Sequence, residues 1–293
     1  MKEISLSYLM VTKNKLPYFK ESIQKLIKEK KEDEEILVAD GGSSDGTGKF
    51  LFDLKERGMI DYCVSEPDFG EAHALNKLSF AAKGKLITIV TDDDVFHYPT
   101  IRAMKEFMRK HPEIDMVGPN GGFKNSDTTK SVRPFYYEDN YREWQKNHTP
   151  FAFCCLALVY RRSSLSLLGL WNPAFKKLDA EFSLRNTSGK ANVAWYTGHA
   201  YVNISTPQST SLVYMKRIKD ETDFLDKFYL GKNPDPFVIE KFKVLRNKLR
   251  SGSFFKQKQS PIAMEEKRPK LVTIAEEWLE KINKEKKLEF IQN

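Results

Sequence analysis

Cysteine is scarce in this chain. There are three, Cys63, Cys154 and Cys155, an odd number of which two are adjacent. Neighbouring residues make poor disulfide partners, so a disulfide scaffold is excluded and buried, reduced thiols are expected. Long apolar runs are missing as well. The longest, Phe151 to Tyr160, covers ten residues, about half of the ~20 that a membrane-spanning helix needs. The opening MKEISLSYLM has neither a basic cluster before an apolar stretch nor a small-residue cleavage site, so no secretory signal is expected. The glycines follow neither the dinucleotide fingerprint nor the P-loop spacing. The five histidines show no zinc-ligand spacing with the cysteines. No internal repeat is visible. Together these absences predict a soluble, cytoplasmic protein.

What the chain does contain is a core. Hydrophobic residues make up 40% and aromatics 12% of its 293 residues, too much apolar material for wholesale disorder and enough for one or two domains. Its net charge of +8 raises the question of a polyanionic partner, which the distribution answers. Residues 241–293 carry a balance of +7 and residues 1–240 only +1. A nucleic-acid enzyme more often spreads cations and aromatics along a groove, so no nucleic acid is expected. A basic tail suits either an anionic surface such as membrane lipid, giving peripheral attachment at the inner face of the membrane, or a solubilising appendage.

The periodicity predicts strands at Ile4 to Val11, Ile36 to Ala39, Ile60 to Val64 and Leu86 to Val90. Between them fall helices at Leu16 to Lys31, Asp45 to Arg57 and Gly70 to Ala82. Strand–helix alternation of this kind indicates right-handed βαβ units, hence an α/β fold with a mostly parallel central sheet flanked by helices. Further on, Pro99 to Arg109 reads as helix, Asp115 to Val117 as a short strand and 120–150 as polar loop. Phe151 to Tyr160 reads as a long central strand, Asp179 to Asn186 as helix and Val193 to Tyr196 as strand. Residues 251–270 read as linker. After them, Ile274, Trp278 and Ile282 share one face of a terminal helix, suited to lipid or to self-association as a homo-oligomer. Lys241 to Arg250 is amphipathic, with Phe242, Leu245 and Leu249 on one face. It suits an interfacial helix or one packed on the main domain.

Ligands of open α/β sheets bind beyond the carboxyl ends of the strands, and three such junctions are polar. The first is Asp40-Gly41-Gly42-Ser43-Ser44-Asp45, where paired glycines permit close backbone approach and Asp40 is placed to accept a hydrogen bond. The second, Ser65-Glu66-Pro67-Asp68-Phe69-Gly70, leads into Asn76 and Lys77. The third is Thr91-Asp92-Asp93-Asp94. Three consecutive carboxylates at a buried strand end repel one another unless a cation or water compensates. Mg²⁺ and Mn²⁺ take oxygen ligands, usually one or two carboxylates with substrate phosphates. Each junction alone could be a capped turn; their convergence on one sheet edge points to a site.

The runs VTKN (Val11 to Asn14), VADGGSSDGT, SEPDFGEAHALNK and TDDD, followed by LGLWNPAF and LDAEFSLR, resemble the family-two inverting glycosyltransferases in order and spacing over residues 4–205. The resemblance implies the A-type glycosyltransferase fold, with a catalytic domain at 1–240 and a basic helical C-terminal extension at 241–293. Within the former, 1–118 would bind the nucleotide sugar and 119–240 the acceptor. It also implies a nucleotide-diphosphate sugar donor, UDP-linked, a divalent metal (Mn²⁺ or Mg²⁺), and a glycan, lipid-linked or other hydroxyl acceptor, as in surface polysaccharide or glycoconjugate synthesis. Residue by residue, Asp40 would contact the base, with Val11, Thr12, Asn14 and Asp68 in the same pocket and Lys77 nearby. Asp92 would lie beside ribose and metal, Asp93 would be the main metal ligand with Asp94 assisting, and Asp179 would be the catalytic base. His199 is a candidate for the metal or diphosphate, and His148 and Trp171 for the acceptor. Two departures are Leu178, where an acidic residue often precedes the base, and Thr91, at a position often acidic.

Two other readings compete. A sugar nucleotidyltransferase shares the layered fold and metal carboxylates, but it opens with a glycine-rich basic loop where this chain has VTKNKLPYF. An inactive nucleotide-sugar-binding scaffold is the other, against which the intact Asp92–Asp94 and Asp179 speak.

Overall fold

In the computed structural model, residues 3–207, 209–232 and 261–292 are described. Strands β1 (Leu6–Thr12), β2 (Glu34–Asp40), β3 (Tyr62–Ser65) and β4 (Leu86–Thr91) alternate with helices α1 (Leu16–Glu29), α2 (Thr47–Glu56) and α3 (Glu71–Ala81). β1 pairs parallel with β2 and β4, and β2 with β3, as the alternation predicts. Strands buried on both faces read as unbroken apolar runs, and β1 shows why. Leu6, Tyr8 and Met10 join one core cluster while Leu9 joins the other. Helix α1 presents Phe19, Ile23 and Leu26 to the first cluster, and α3 presents Leu75 and Leu78 to the second. These are the stripes its 3.6-residue period calls for.

The second half continues the sheet with β5 (Val95–Phe96), α4 (Tyr98–Lys110), β6 (Met116–Lys124), β7 (Arg133–Phe135), α5 (Glu138–Asn147), β8 (Val159–Arg161), α6 (Leu165–Leu168), α7 (Leu178–Ser188) and β9 (Val193–Ile204). Helices α8 (Thr210–Val213), α9 (Met215–Leu230) and α10 (Pro261–Glu285) and strand β10 (Phe290–Ile291) complete the described residues. The sheet order is β10-β9-β6-β8-β4-β1-β2-β3, with β5 on β9 and β7 on β6. β6 and β9 are parallel, whereas β8 is antiparallel to both of its neighbours.

Several expectations change here. The predicted strand at Phe151 to Tyr160 is extended only from Val159. Upstream, the Phe151 and Phe153 N–H groups donate to Thr187 Oγ1 and Ser183 Oγ of α7 at 3.2 and 3.1 Å. A local apolar run specifies burial but not which partner takes its backbone hydrogen bonds. The short strand at Asp115 to Val117 extends to Lys124, that at Val193 to Tyr196 extends to Ile204, and the polar 120–150 stretch contains β7 and α5.

The linker expected to reach residue 270 is helical from Pro261. Ile274 and Trp278, on the face expected to suit lipid or self-association, are partly buried against the protein's own sheet. They pack with buried Leu271, Ala275 and Leu279 against Val95, Val202 and Ile204, because an apolar stripe is most stable against the nearest apolar sheet face. Beyond α10, β10 pairs antiparallel with β9 at Tyr196 and Trp195. The amphipathic segment 241–250 lies outside the described residues. Among the described residues no helix is long and apolar enough to cross a membrane.

Candidate active site

The carboxyl ends of β1 and β4 open into a cleft of about 720 Å³, walled by Val11, Thr12, Lys15, Asp68, Glu71, Asp92, Asp93, Asp94 and, opposite, Cys154 and Lys176 to Asp179. Most of these residues stand at the end of a strand or at the start of a helix, where side chains project beyond the sheet. Asp68 holds its loop by accepting from Gly70 N–H at 2.8 Å. Gly42, at φ +75°, has no room for a side chain, since a Cβ would meet the Pro67 backbone at 3.0 Å.

The triplet after β4 divides in two. Asp94 is tied to the protein: it accepts from Thr91 Oγ1 at 2.6 Å, Ile204 N–H at 2.8 Å and Asn203 Nδ2 at 3.0 Å. Asp92 and Asp93 instead converge on one ammonium. Lys15 Nζ lies 3.2 Å from Asp92 Oδ1 and 2.7 Å from Asp93 Oδ2, and Thr206 Oγ1 donates to Asp93 at 3.2 Å. The backbone beneath is clamped, with Ser22 Oγ donating to Asp92 O at 2.9 Å and Arg268 Nη1 to Asp93 O at 2.7 Å. Burial pushes Asp92 up to about 6, against the pull of Lys15. Burial and the Asp93 charge push Asp94 up to about 7. Burial works against the Lys15 charge, but Asp92 and Asp93 outweigh it and hold the ammonium above its ordinary value.

This donor set suits a hard divalent cation. Among the described residues no group of three or more His, Cys, Asp or Glu side chains forms a metal cage, and Mg²⁺-type ions seldom need one. They bind through one or two carboxylates and complete the shell with water and phosphate. Asp92 and Asp93, buried and already paired with a cation, are the residues that would hold it. Asp94 differs in that both its oxygens already accept protein hydrogen bonds.

Across the cleft, Asp179 sits in the first turn of α7. Burial raises its carboxyl above the ordinary value, against hydrogen bonds from the Cys154 thiol and the Cys155 backbone. Glu71, first residue of α3, is pushed up to about 7 by burial and then by the Asp179 charge. A half-buried carboxylate with a raised pKa facing a cleft is suited to take a proton.

The cleft wall includes Val11, Thr12, Asp68, Asp92, Asp93, Asp94 and Asp179. Other candidates lie elsewhere. Asp40 is fully buried, accepting from Ser43 Oγ and N–H and from Ser65 Oγ at 2.6 Å, so in this structure it braces a loop. Asn14 is exposed and accepts from Ser44 N–H at 2.9 Å. Lys77 pairs with Glu66 at 2.9 Å. Trp171 is buried and stacked on Phe182. His148 caps α5 at φ +55°, edge-on to Trp144. His199 is buried edge-on between Tyr136 and Trp278, with neither ring nitrogen hydrogen-bonded. Burial, with Lys286 nearby, drops it to about 3, so it stays neutral, and it does not line the cleft.

Residues that sequence reasoning missed include Lys15, Glu71, Thr206 and Arg268. Lys15 directly follows the VTKN run, and Glu71 lies inside the SEPDFGEAHALNK stretch, so their places in the motifs could have flagged them. Nothing local marks Thr206 or Arg268, which reach Asp93 from 113 and 175 residues away. Lys176 and Lys177, which resemble a solvated pair in sequence, also line the cleft.

Comparison with known proteins bears on this geometry. Residues 7–168, more than half of the chain, match the profile of glycosyl transferase family 2. Over 123 residues the chain is 23% identical to the poly-beta-1,6-N-acetyl-D-glucosamine synthase of Staphylococcus epidermidis, covering 42% of this chain and 30% of that protein. Among solved structures it is similar to S. aureus TarS 1-349 in complex with UDP-GlcNAc, with a TM-score of 0.58, 17% identity, and coverage of 86% of this chain and 73% of that one. It is also similar to the mannosyltransferase PcManGT from Pyrobaculum calidifontis in complex with GDP-Man and Mn²⁺. There the TM-score is 0.52 and the identity 16%, over 94% of this chain and 71% of that one. At such identities the structural likeness shows the fold. The chain spans 30% of the length of the synthase and 44% of a longer TarS chain.

Proposed function

The chain belongs to glycosyl transferase family 2, and from that premise we propose that it is an inverting, metal-dependent glycosyltransferase moving a sugar from a UDP-linked donor to a hydroxyl acceptor in surface-glycan synthesis. The observation that carries this reading is one cleft with a cation-holding carboxylate pair, Asp92 and Asp93, on one wall and a raised carboxyl, Asp179, on the other. Val11, Thr12 and Asp68 line the nucleoside side, from 1–118. Lys176, Lys177 and Asp179 line the acceptor side, from 119–240. Asn14 and Asp40 act on the donor pocket through the loops they brace.

When bound at Asp92 and Asp93, Mn²⁺ or Mg²⁺ would compensate charge developing on the leaving diphosphate. Asp179 accepts the acceptor hydroxyl proton on a carboxylate oxygen as that hydroxyl's oxygen bonds to the anomeric carbon and the nucleoside diphosphate departs from the opposite face. Inversion follows from that single displacement. The raised pKa makes Asp179 a better proton acceptor than a solvated aspartate.

The test is release of nucleoside diphosphate from a nucleotide-sugar panel with and without Mn²⁺. Asp179→Asn should retain donor binding and lose about 10²–10⁴-fold in turnover, the usual weight of a general base. Asp93→Asn should lose the Mn²⁺-dependent part. Turnover of Asp179→Asn near the parent's would overturn the assignment of the base.

A further inference from the structure

We propose that Lys15 is an internal counter-ion that competes with the divalent cation for Asp92 and Asp93 and is handed to the donor diphosphate when the metal enters. The inference rests on the reading of Asp92 and Asp93 as the metal carboxylates.

Lys15 is delivered to this position by its backbone. Asn14, just before it, holds a left-handed φ of +52°, a conformation costly for most residues and tolerated by asparagine. The loop after β2 enforces it. Asn14 N–H donates to Ser43 Oγ at 2.7 Å, Ser44 N–H donates to Asn14 Oδ1 at 2.9 Å, and Leu16 N–H donates to Asp45 Oδ2 at 2.9 Å. Residues on both sides of Lys15 are thus fastened to Ser43, Ser44 and Asp45, and the side chain is aimed at the β4 end. With that side chain 18% exposed, its desolvation is offset only by close carboxylates.

Lys15 and a divalent ion would compete for the same two carboxylates. The ammonium occupies Asp92 Oδ1 and Asp93 Oδ2, and Thr206 takes a further site on Asp93 Oδ2. A second cation entering beside Lys15 would meet like charge at contact distance in a partly desolvated cleft, where repulsion is poorly screened. Metal entry therefore requires the ammonium to move. Its flexible four-carbon stem permits this, and a diphosphate brought by the same ligand is the strongest anion within reach. Donor and metal should then bind cooperatively: the nucleotide draws Lys15 off the carboxylates and the metal takes its place.

The experiment is Mn²⁺ titration of the full chain, followed by electron paramagnetic resonance of free Mn²⁺, with and without UDP. The parent should bind Mn²⁺ weakly alone and at least tenfold more tightly with UDP. Lys15→Met should bind Mn²⁺ alone at least tenfold more tightly than the parent, and UDP, still a metal ligand through its diphosphate, should tighten binding by a smaller factor than in the parent. Should Lys15→Met unfold, Lys15→Gln, which keeps a hydrogen bond but no charge, should give the same direction. If Mn²⁺ affinity without UDP is unchanged or weaker in the folded variant, the proposal is overturned. If the parent binds Mn²⁺ with UDP in a manner lost in Asp93→Asn, such a failure concerns Lys15 alone. If Mn²⁺ binds neither protein under any condition, the metal assignment falls as well.

Discussion

Two lysines in this chain each bridge a pair of carboxylates at an end of the central sheet. Lys105 joins Asp33 and Glu34 where β2 begins, at 3.1 and 2.9 Å, and Lys15 joins Asp92 and Asp93 where β4 ends. The chemistry is the same and the surroundings are opposite. Lys105 is 5% exposed at the side chain, and its acids have further donors: Ser5 Oγ to Asp33 at 2.5 Å and Lys31 N–H to Glu34 at 3.0 Å. Against its burial, the hydrogen bonds from Ser5 and Lys105 hold the Asp33 carboxyl below its ordinary value. At the other end Lys15 faces a cleft shared with Asp94, Glu71 and Asp179, and Asp92 is pushed up to about 6. A satisfied ion pair is structural. An oversupply of acid around one cation at a cleft is a site prepared to exchange that cation.

Removing each lysine should separate the two most sharply. Lys105→Met leaves the buried Glu34 and the half-buried Asp33 without their cation and should cost about 3–5 kcal/mol in urea unfolding. A loss no larger than that of Lys15→Met would erase the distinction. Next in size is Arg268→Met. Arg268 is buried, bonds Glu21 at 2.6 Å and Asp93 O at 2.7 Å, and lies over the Tyr18 ring. Losing the hydrogen bonds of this charged group should cost about 1.5–3 kcal/mol and weaken Mn²⁺ binding, whereas Arg268→Lys should recover part of both. Unaltered Mn²⁺ binding in a destabilised Arg268→Met would make the contact purely structural.

The smallest effect concerns pH. Glu71 is raised from its ordinary range to about 7 in the folded protein. Stability contributed by its protonated form is therefore full below the unfolded pKa and is lost as pH rises through about 7. Between pH 5.5 and 8 the parent should lose on the order of 1 kcal/mol more than Glu71→Gln. Parallel stability curves would remove Glu71 from the acidic group.

Legibility followed the range of the interactions. The β1–β4 half was readable because each strand and helix carries its own period, and because Asp68, Asp92 and Asp93 stand directly beyond strand ends. Asp179 was readable from the LDAEFSLR run and sits at a helix start. Phe151 to Tyr160 misled because an apolar run does not say whether its backbone will meet a strand or the hydroxyls of α7. His199 misled because its place on β9, opposite Asn120, turns the ring into the helix α10 interface and not toward Asp93.

From the sequence alone came the α/β alternation, the edge of the sheet where polar residues gather, and the acidic character of that edge, all set by hydrophobic period and by what immediately follows a strand. Only the tertiary structure decided which carboxylates share a cation, since that depends on a left-handed Asn14 held by a loop about 30 residues away. It also decided that the C-terminal helix belongs to the same core, with Arg268 closing on Asp93 across 175 residues. Contacts of that kind carry no local period. They exist only once the folded chain has brought distant charges into a common, water-poor space, where the choice of partner sets the energy.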